Sequence, residues 1–523
     1  MRVEWFVDLF MVQIVNFLTT TFFIFNSVFA NEYQNLNWNF ENILYPKEDF
    51  HQQFPDATTG SNSIIHIVWV QQHGNQKSIQ YSRSNSEGEN FSQPIQVNSI
   101  NNNIIAHSQS GPKIRAYGNT IFIIFMMSNS NNYESIYLST SEDNGNTWTQ
   151  EIEIGFPDQR DVYPDFEIDS NGMIHLVNYS FHHNWHFDGV FYRHFSPDSL
   201  YSSCPISIDI ISNDEEPCDC CQPDLAVTDS NDIFIAYRNN ISSIRDSYII
   251  KKSIQDSIFS VPTIIAEHND FISFCPTSGP VLALNNTQIA ASYYVFNGQN
   301  SFLNFSNLDS LNFNNETILN DNFNQQNFPY PIIFDNYVHL VWVENIAGNS
   351  DIFYGISELE ENSTIQNIQR VNQDSTFGFA TQKDPILLKN DNKIFCFWTD
   401  GRSGDFQIYF SKASLDSSTM KNNNTEKLTF PPNFKLFSAY PNPFNPITKL
   451  RYDLLEDGFV NIAIYDMLGN LVNNLVSANQ SSGYKSVQWN ATNNQGQPVS
   501  EGVYLYSIKV GDFRQTKKMI LLK

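Results

Sequence analysis

Short apolar runs alternate with polar stretches rich in Asn and Ser along most of the chain, and their spacing predicts strands joined by turns rather than helices. A proline opens one such run at Pro55, Pro112, Pro164, Pro223, Pro280, Pro331 and Pro385, at intervals of 51 to 59 residues. Each is followed by a second run with an aromatic near its end: "IIHIVWV", "IFIIFMM", "IHLVNYS", "IFIAYRN", "IAASYYV", "VHLVWVE" and "IFCFWTD". A third run follows, as in "SIQYSRS" or "SIYLSTS", and then a weaker fourth, as in "PIQVN". Four strands per unit, repeated, predict an all-β fold of the β-propeller type. Seven units between about residues 50 and 430 predict seven blades, with six as the alternative. No single unit can bury both faces of its own sheet, so its neighbours must supply the core.

Beyond Ala413 the pattern breaks into a polar linker, "SLDSSTMKNNNTEKLTFPPN", and then resumes with a different character. Alternation in "VNIAIYD", "KSVQWN" and "VYLYSIKV", with turns at Leu468-Gly469 and Asn494-Gln495-Gly496, predicts a small immunoglobulin-like β-sandwich over 431–523. At the other end Arg2 and the mostly apolar run "FLTTTFFIFNSVFA", with Val28 and Ala30 at small-residue cleavage positions, are expected to be a secretory signal peptide over 1–30. The propeller then occupies 31–430.

With 55 acidic against 29 basic residues, the chain repels phosphate backbones, so nucleic acid is not expected as a partner. Six cysteines in an exported chain favour disulfides, and Cys218, Cys220, Cys221 and Cys275 fall in adjacent loops between blades. The competing reading is a thiolate metal site with the histidines of "HHNWH". The expectation is disulfides, no metal and no cofactor, in a monomer. Cys396, inside a strand, is expected to be a buried free thiol.

Ser141, Asp143, Gly145 and Trp148 in "STSEDNGNTWTQ" fit S-x-D-x-G-x-x-W, which resembles the Asp box of sialidases and the bacterial neuraminidase repeats. In the unit's register it lies between strands three and four. There Asp143 can bind turn amides, Gly145 can take positive φ and Trp148 can pack between sheets, so the box is read as structural. Sialidases have six blades, from which the count of seven departs. In the family the boxes lie opposite the active site, which turns attention to the loops between blades and after each second strand. These offer His107, Arg160, Asp161, Tyr163, His182, His183, His186, Arg238, Arg245, Asp246, Asp400 and Arg402. The passage from "CDCC" through the Arg245-Asp246 pair to "FCPTSGP" looks like a group of secreted sialidase-like propellers in which these three features recur together.

Sialidases hold a carboxylate with three arginines, use an Asp as acid/base and a Tyr activated by a Glu as nucleophile. Carried over, Arg160, Arg238, Arg245 and Arg402 would form the cluster, with Asp161 or Asp165 as acid and Tyr163 nearby. The family's R-I-P motif is missing; the nearest stretch is "GPKIRAYG" around Arg115. Arginines that pair with Asp246, Asp400 and Asp405 to fix loops are the favoured reading.

The tail closely resembles the C-terminal sorting domain of type IX secretion substrates, with a fold similar to the immunoglobulin-like domain of flagellar hook-capping proteins. Pro441, Asn442, Pro443, Phe444, Asn445 and Pro446 carry the match, with Tyr465, Asp466, Gly469, Trp489, Gly496, Gly502, Val503, Tyr504 and the closing "KKMILLK". The resemblance implies passage by the Sec route and then across the outer membrane by the type IX machinery, to the medium or the cell surface. The resulting expectation is an exported propeller that binds an extracellular ligand, a glycan or polymer. The alternatives are an exo-glycosidase of sialidase type and a structural or adhesive surface protein.

Overall fold

The computed structural model describes residues 36–415 and 435–522, except 40, 85–87, 100–103, 108–109, 157, 183–185, 198–205, 208–215, 219, 254, 275–276, 323, 347, 374–379, 437–438, 440–441, 455–457, 481–482 and 512. The expected leader and most of the polar linker lie outside the described residues. The chain divides into two compact units, Met1–Met420 and Lys421–Lys523.

In the first unit the described residues form seven antiparallel sheets, each built mainly from strands consecutive in sequence. The first blade, for example, is His51–Thr59, Ile65–His73, Gln76–Ser84 and Ile95–Gln96. Each blade's innermost strand packs on that of the next, and the seventh packs back on the first. The fold is therefore a seven-bladed propeller. Second strands are covered on both faces by neighbouring blades, and so run apolar without alternation. Seven successive residues of Ile65–His73 are buried, and Trp69, Trp342 and Trp398 are fully enclosed at equivalent places.

Ring closure uses the other end of the chain. Gln382–Asn390, Lys393–Asp400 and Gln407–Ser414 form the seventh sheet, and its outermost strand is Asn42–Ile43, paired with Tyr409 and Phe410. Leu36 and Trp38 pack beside it against Tyr354, Trp398 and Tyr409. The expectation that the units begin near residue 50 missed this strand, because two residues cannot carry a period.

The prolines sit at a repeated irregularity. Register slips between Gln53 and Asp56, Val162 and Asp165, Asn327 and Tyr330, and Lys383 and Ile386. At each slip the residue before proline has positive φ: Phe54 59°, Tyr163 53°, Phe328 52° and Asp384 53°. A bulge spares the ladder a donor that proline lacks. The sixth unit's proline is accordingly Pro329. Pro331, the one expected from spacing, pairs in regular register with Leu340 two residues on. In blades two and five glycine holds the place before proline. A Cβ on Gly111 would lie 2.5 Å from the Phe54 Cβ, and one on Gly279 2.0 Å from the Gln222 carbonyl oxygen.

The second unit is a sandwich of two sheets. One contains Lys435–Leu436, Thr448–Leu454 and Gly483–Trp489; the other contains Leu471–Gln480, Gly458–Tyr465, Gly502–Val510 and Phe513–Leu521. Trp489, Tyr452, Tyr506, Ile462 and Phe444 meet in a core of its own.

Candidate functional site

Seven prolines and their neighbours surround the channel axis, and those of six blades line a cavity of about 130 Å³ that includes Asp56, Lys113, Asp224, Tyr330 and Asp384. Three acids of the innermost strands each accept a backbone amide of the next blade. Asp56 takes Ile114 N at 2.8 Å, Asp165 takes Leu225 N at 2.9 Å and Asp224 takes Leu282 N at 2.8 Å. Two cations sit among them. Arg115 donates to Glu167 at 2.6 Å and to Asp56 at 3.1 Å, and both Arg115 and Lys113 lie 3.7 Å from Asp165. Burial first, and the Asp165 charge second, push the Asp224 carboxyl well above the usual range. Burial also raises Glu167, against the pull of Arg115. The sequence offered Asp165 as a candidate acid and the stretch around Arg115 as the nearest to the missing R-I-P motif. In the structure they hold blades together, and the cavity is too small to enclose a sugar chain.

The arginines proposed for a carboxylate cluster are held by structural partners: Arg245 lies beside Arg238 and reaches Cys218 Sγ at 2.9 Å, while Arg160 and Arg402 have partners of their own. Arg160 pairs with Glu134 at 2.5 Å and lies over the Phe181 ring at 4.7 Å. Arg238 is 1% exposed and donates to the carbonyls of Ser278 at 3.1 Å, Arg245 at 2.7 Å and Tyr294 at 2.5 Å, with Asp270 at 3.4 Å. Arg402 is gripped by Asp400 and by Glu41 of the closing segment, over the Tyr409 ring at 4.6 Å. It clasps the ring shut. Asp405, expected to pair with an arginine, instead faces His51 at 3.7 Å.

The remaining predicted residues are placed as follows. Asp161 is fully buried, accepting Ser180 Oγ at 2.7 Å and Phe156 N at 2.6 Å, and burial raises its carboxyl despite nearby Arg193. Tyr163 meets His107 and Tyr179 edge to face at 5.4 and 5.9 Å. His182 and His186 pair at the end of a hairpin, and His183 lies outside the described residues. Asp246 accepts Asn269 N at 3.0 Å and Asp270 N at 3.2 Å, fixing a loop rather than facing solvent. Asp400, fully buried, also accepts Trp398 Nε1 at 2.9 Å.

The cysteines follow the expectation in part, with Cys218 and Cys221 the departures among the described residues. Cys220 is disulfide-bonded, Cys218 and Cys221 are buried free thiols, and Cys275 lies outside the described residues. Cys396 is a buried free thiol inside its strand.

What sequence reading missed is a shelf on the same loop face. Between blades four and five, Phe271 is 63% and Phe274 50% exposed, and Phe274 stacks edge to face on Phe296 at 4.9 Å. Asn269, Phe271, Phe296, Asn297, Gly298 and Gln299 line one open pocket there. The shelf is braced from beneath, because Asp270 accepts Phe296 N and Asn297 N, both at 2.9 Å. The available signal was two phenylalanines in the polar loop "HNDFISF".

The Asp143 turn lies at the opposite end of its blade. Asp143 Oδ1 accepts Asn146 N and Thr147 N, both at 2.9 Å, and Ser141 Oγ accepts Gly145 N at 2.8 Å. The Thr147 amide and hydroxyl hold the carboxyl down to about 2. Gly145 has φ 82°, and Trp148 meets Tyr81 of the first blade edge to face at 4.8 Å.

In the second unit the stretch from Asn442 lies along the last strand. Phe444 N donates to Ile520 O at 2.9 Å, Leu522 N to Phe444 O at 2.8 Å and Ile520 N to Asn442 Oδ1 at 2.8 Å. Pro443, Asn445 and Pro446 flank this contact, while Pro441 lies outside the described residues. Gly502, at φ 149°, opens the strand on which Tyr504 packs edge to face on Trp489 at 5.1 Å.

Residues 450–512 match the FlgD Ig-like domain family. No curated protein matches the chain. Among solved structures, an ulvan lyase bound to -[GlcA(1-4)Rha3S]- is similar with a TM-score of 0.50 and 10% identity, over 70% of this chain and 95% of that one. A protein of unknown function from Dyadobacter fermentans is similar with a TM-score of 0.45 and 11% identity, over 73% and 99%. An α-L-arabinanase of Penicillium chrysogenum complexed with arabinobiose gives a TM-score of 0.42 and 11% identity, over 72% and 99%.

Proposed function

We propose that the chain is an exported propeller that binds an extracellular glycan through its loop face. The observation that carries this reading is the shelf around Phe271, Phe274 and Phe296, rimmed by Asn269, Asn297 and Gln299. Flat apolar rings stack on the C–H faces of sugars, and amides both donate to and accept from hydroxyl groups. The chain's net charge of -26 and the internal pairing of its loop arginines disfavour a strongly anionic ligand. Neutral glycans are the class that suits this surface. The solved ulvan lyase of similar fold holds a sugar polymer, one that carries uronate and sulfate groups, so it supports glycan binding by this fold and not the neutral class; the tail's resemblance to sorting domains supports export by the type IX machinery. A glycan array probed with the full chain and with Phe271→Ala tests the reading. Binding to neutral glycans, weakened about tenfold or more by the substitution, is expected; a wild-type chain that binds no glycan refutes the proposal.

A further inference from the structure

The run Cys218-Asp219-Cys220-Cys221 brings three sulfur atoms and a guanidinium together beneath the loop face. Cys218 Sγ lies 3.3 Å from Cys221 Sγ and 3.5 Å from Cys220 Sγ, and Arg245 Nη1 reaches Cys218 Sγ at 2.9 Å. Cys220 is already in a disulfide, whereas Cys218 and Cys221 are free. A free thiol therefore stands in contact with a disulfide sulfur, with a cation beside it.

We propose that Cys218 is an intramolecular nucleophile that exchanges with the disulfide of Cys220, so that the exported chain holds two interconverting cross-links. In the forward step the Cys218 thiolate attacks Cys220 Sγ. A Cys218–Cys220 bond forms, the bond from Cys220 to its present partner breaks, and that partner's sulfur leaves with the electron pair as a thiolate. No oxidant or reductant is consumed. The reverse step restores the first cross-link.

Each neighbour has a part in this step. Arg245, 2.9 Å from Cys218 Sγ, stabilises the attacking thiolate and also comes within 3.8 Å of Cys220 Sγ, the sulfur attacked. Cys221 hydrogen-bonds to the Cys218 thiolate, and the backbone holds the run still, because Cys218 N donates to Arg238 O at 2.7 Å and Tyr179 Oη to Cys221 O at 2.7 Å. The hydrogen bond with Cys221 comes first among the causes, ahead of Arg245 and Arg238, that bring the Cys218 thiol down to about 6 against the opposing effect of burial. Burial pushes Cys221 up, which keeps it a thiol. These contacts favour the Cys218 thiolate, the form that attacks.

The experiment maps cross-linked peptides by mass spectrometry in the full exported chain, acid-quenched after incubation at neutral pH, with free thiols alkylated under denaturing conditions. Two linkages of Cys220 are expected in the wild type, one to its present partner and one to Cys218. Cys218→Ser should leave only the first, and Arg245→Met should slow the approach to the mixture at least about threefold. Unchanged melting temperatures show that both variants fold. A single Cys220 linkage in the wild type, with Cys218 alkylated quantitatively or joined to Cys221, overturns the proposal.

Discussion

His66, His175 and His339 occupy the same place on the second strands of blades one, three and six, and each meets a tyrosine of the third strand. His66 Nδ1 is 2.6 Å from the Tyr81 hydroxyl, and the pairs His175–Tyr192 and His339–Tyr354 are at 2.7 Å. The histidines stood in plain view in "IIHIVWV", "IHLVNYS" and "VHLVWVE", but a lone His in an apolar run has no periodic meaning until its partner strand is known. Burial lowers His66 to about 4 and His339 to about 3. A folded value below the unfolded one means that the unfolded chain takes the proton first as pH falls. Their stabilising contribution is complete above about pH 6.5 and declines as pH drops toward 4 and 3. The melting temperature should fall steadily between pH 7 and pH 4, and His339→Gln should flatten part of that slope; a wild-type profile flat over this range contradicts it. Asp143 belongs to the same scale. Its turn was legible from residue spacing because the hydrogen bonds of Asp143 itself all fall within residues 141–147. Asp143→Ala should lower the melting temperature while glycan binding measured by calorimetry stays unchanged; lost binding at constant stability would show the turn to be a ligand site.

At the scale of the element, the second strands announced themselves because burial on both faces leaves an unbroken apolar run, and seven such runs gave the blade count. The innermost strands were harder. In "FPYPIIF" either proline suits an even spacing, and only the bulge at Phe328, where φ is 52°, selects Pro329. The loop face was less legible still, since residues far apart in sequence meet there. Arg238 and Arg402 look alike in the chain, yet one braces the carbonyls of two blades and the other clasps Glu41. Close approach between neighbouring innermost strands gives a sharp prediction. A Cβ on Gly279 would meet the Gln222 carbonyl, a backbone atom that cannot swing aside. Gly279→Ala should therefore destabilise the propeller by about 1–3 kcal/mol, the usual range for overpacking, as measured by chemical denaturation. A substitution that leaves the midpoint in place would mean that the blades slide freely past each other.

For the whole molecule, what matters is where each unit finds its last strand. The propeller borrows Asn42–Ile43 from the start of the chain, and the clasp between Glu41 and Arg402, with Leu36 packed beneath, secures it. A leader cut after Ala30 would leave this segment intact, so the proposed export route and the closure of the ring are compatible. The sandwich has a core of its own, which runs from Leu436 to Leu521. Its Asn442 to Phe444 stretch is clipped to the final strand, which joins the two ends of the proposed sorting signal into one folded edge. Opposite outcomes are therefore expected from trimming the two ends. A chain of residues 31–420 should be soluble, melt cooperatively near the full-length temperature and keep glycan binding, but remain in the periplasm of a bacterium that has type IX secretion. A chain of residues 45–523 lacks the closing strand and should melt far lower or aggregate, because the seventh sheet is left with an open edge against solvent. Calorimetry on both chains and fractionation into periplasm, surface and medium decide the matter. A 31–420 chain that reaches the surface as efficiently as full length would remove the sorting role from the tail, and a 45–523 chain as stable as full length would show that the ring closes without its first strand.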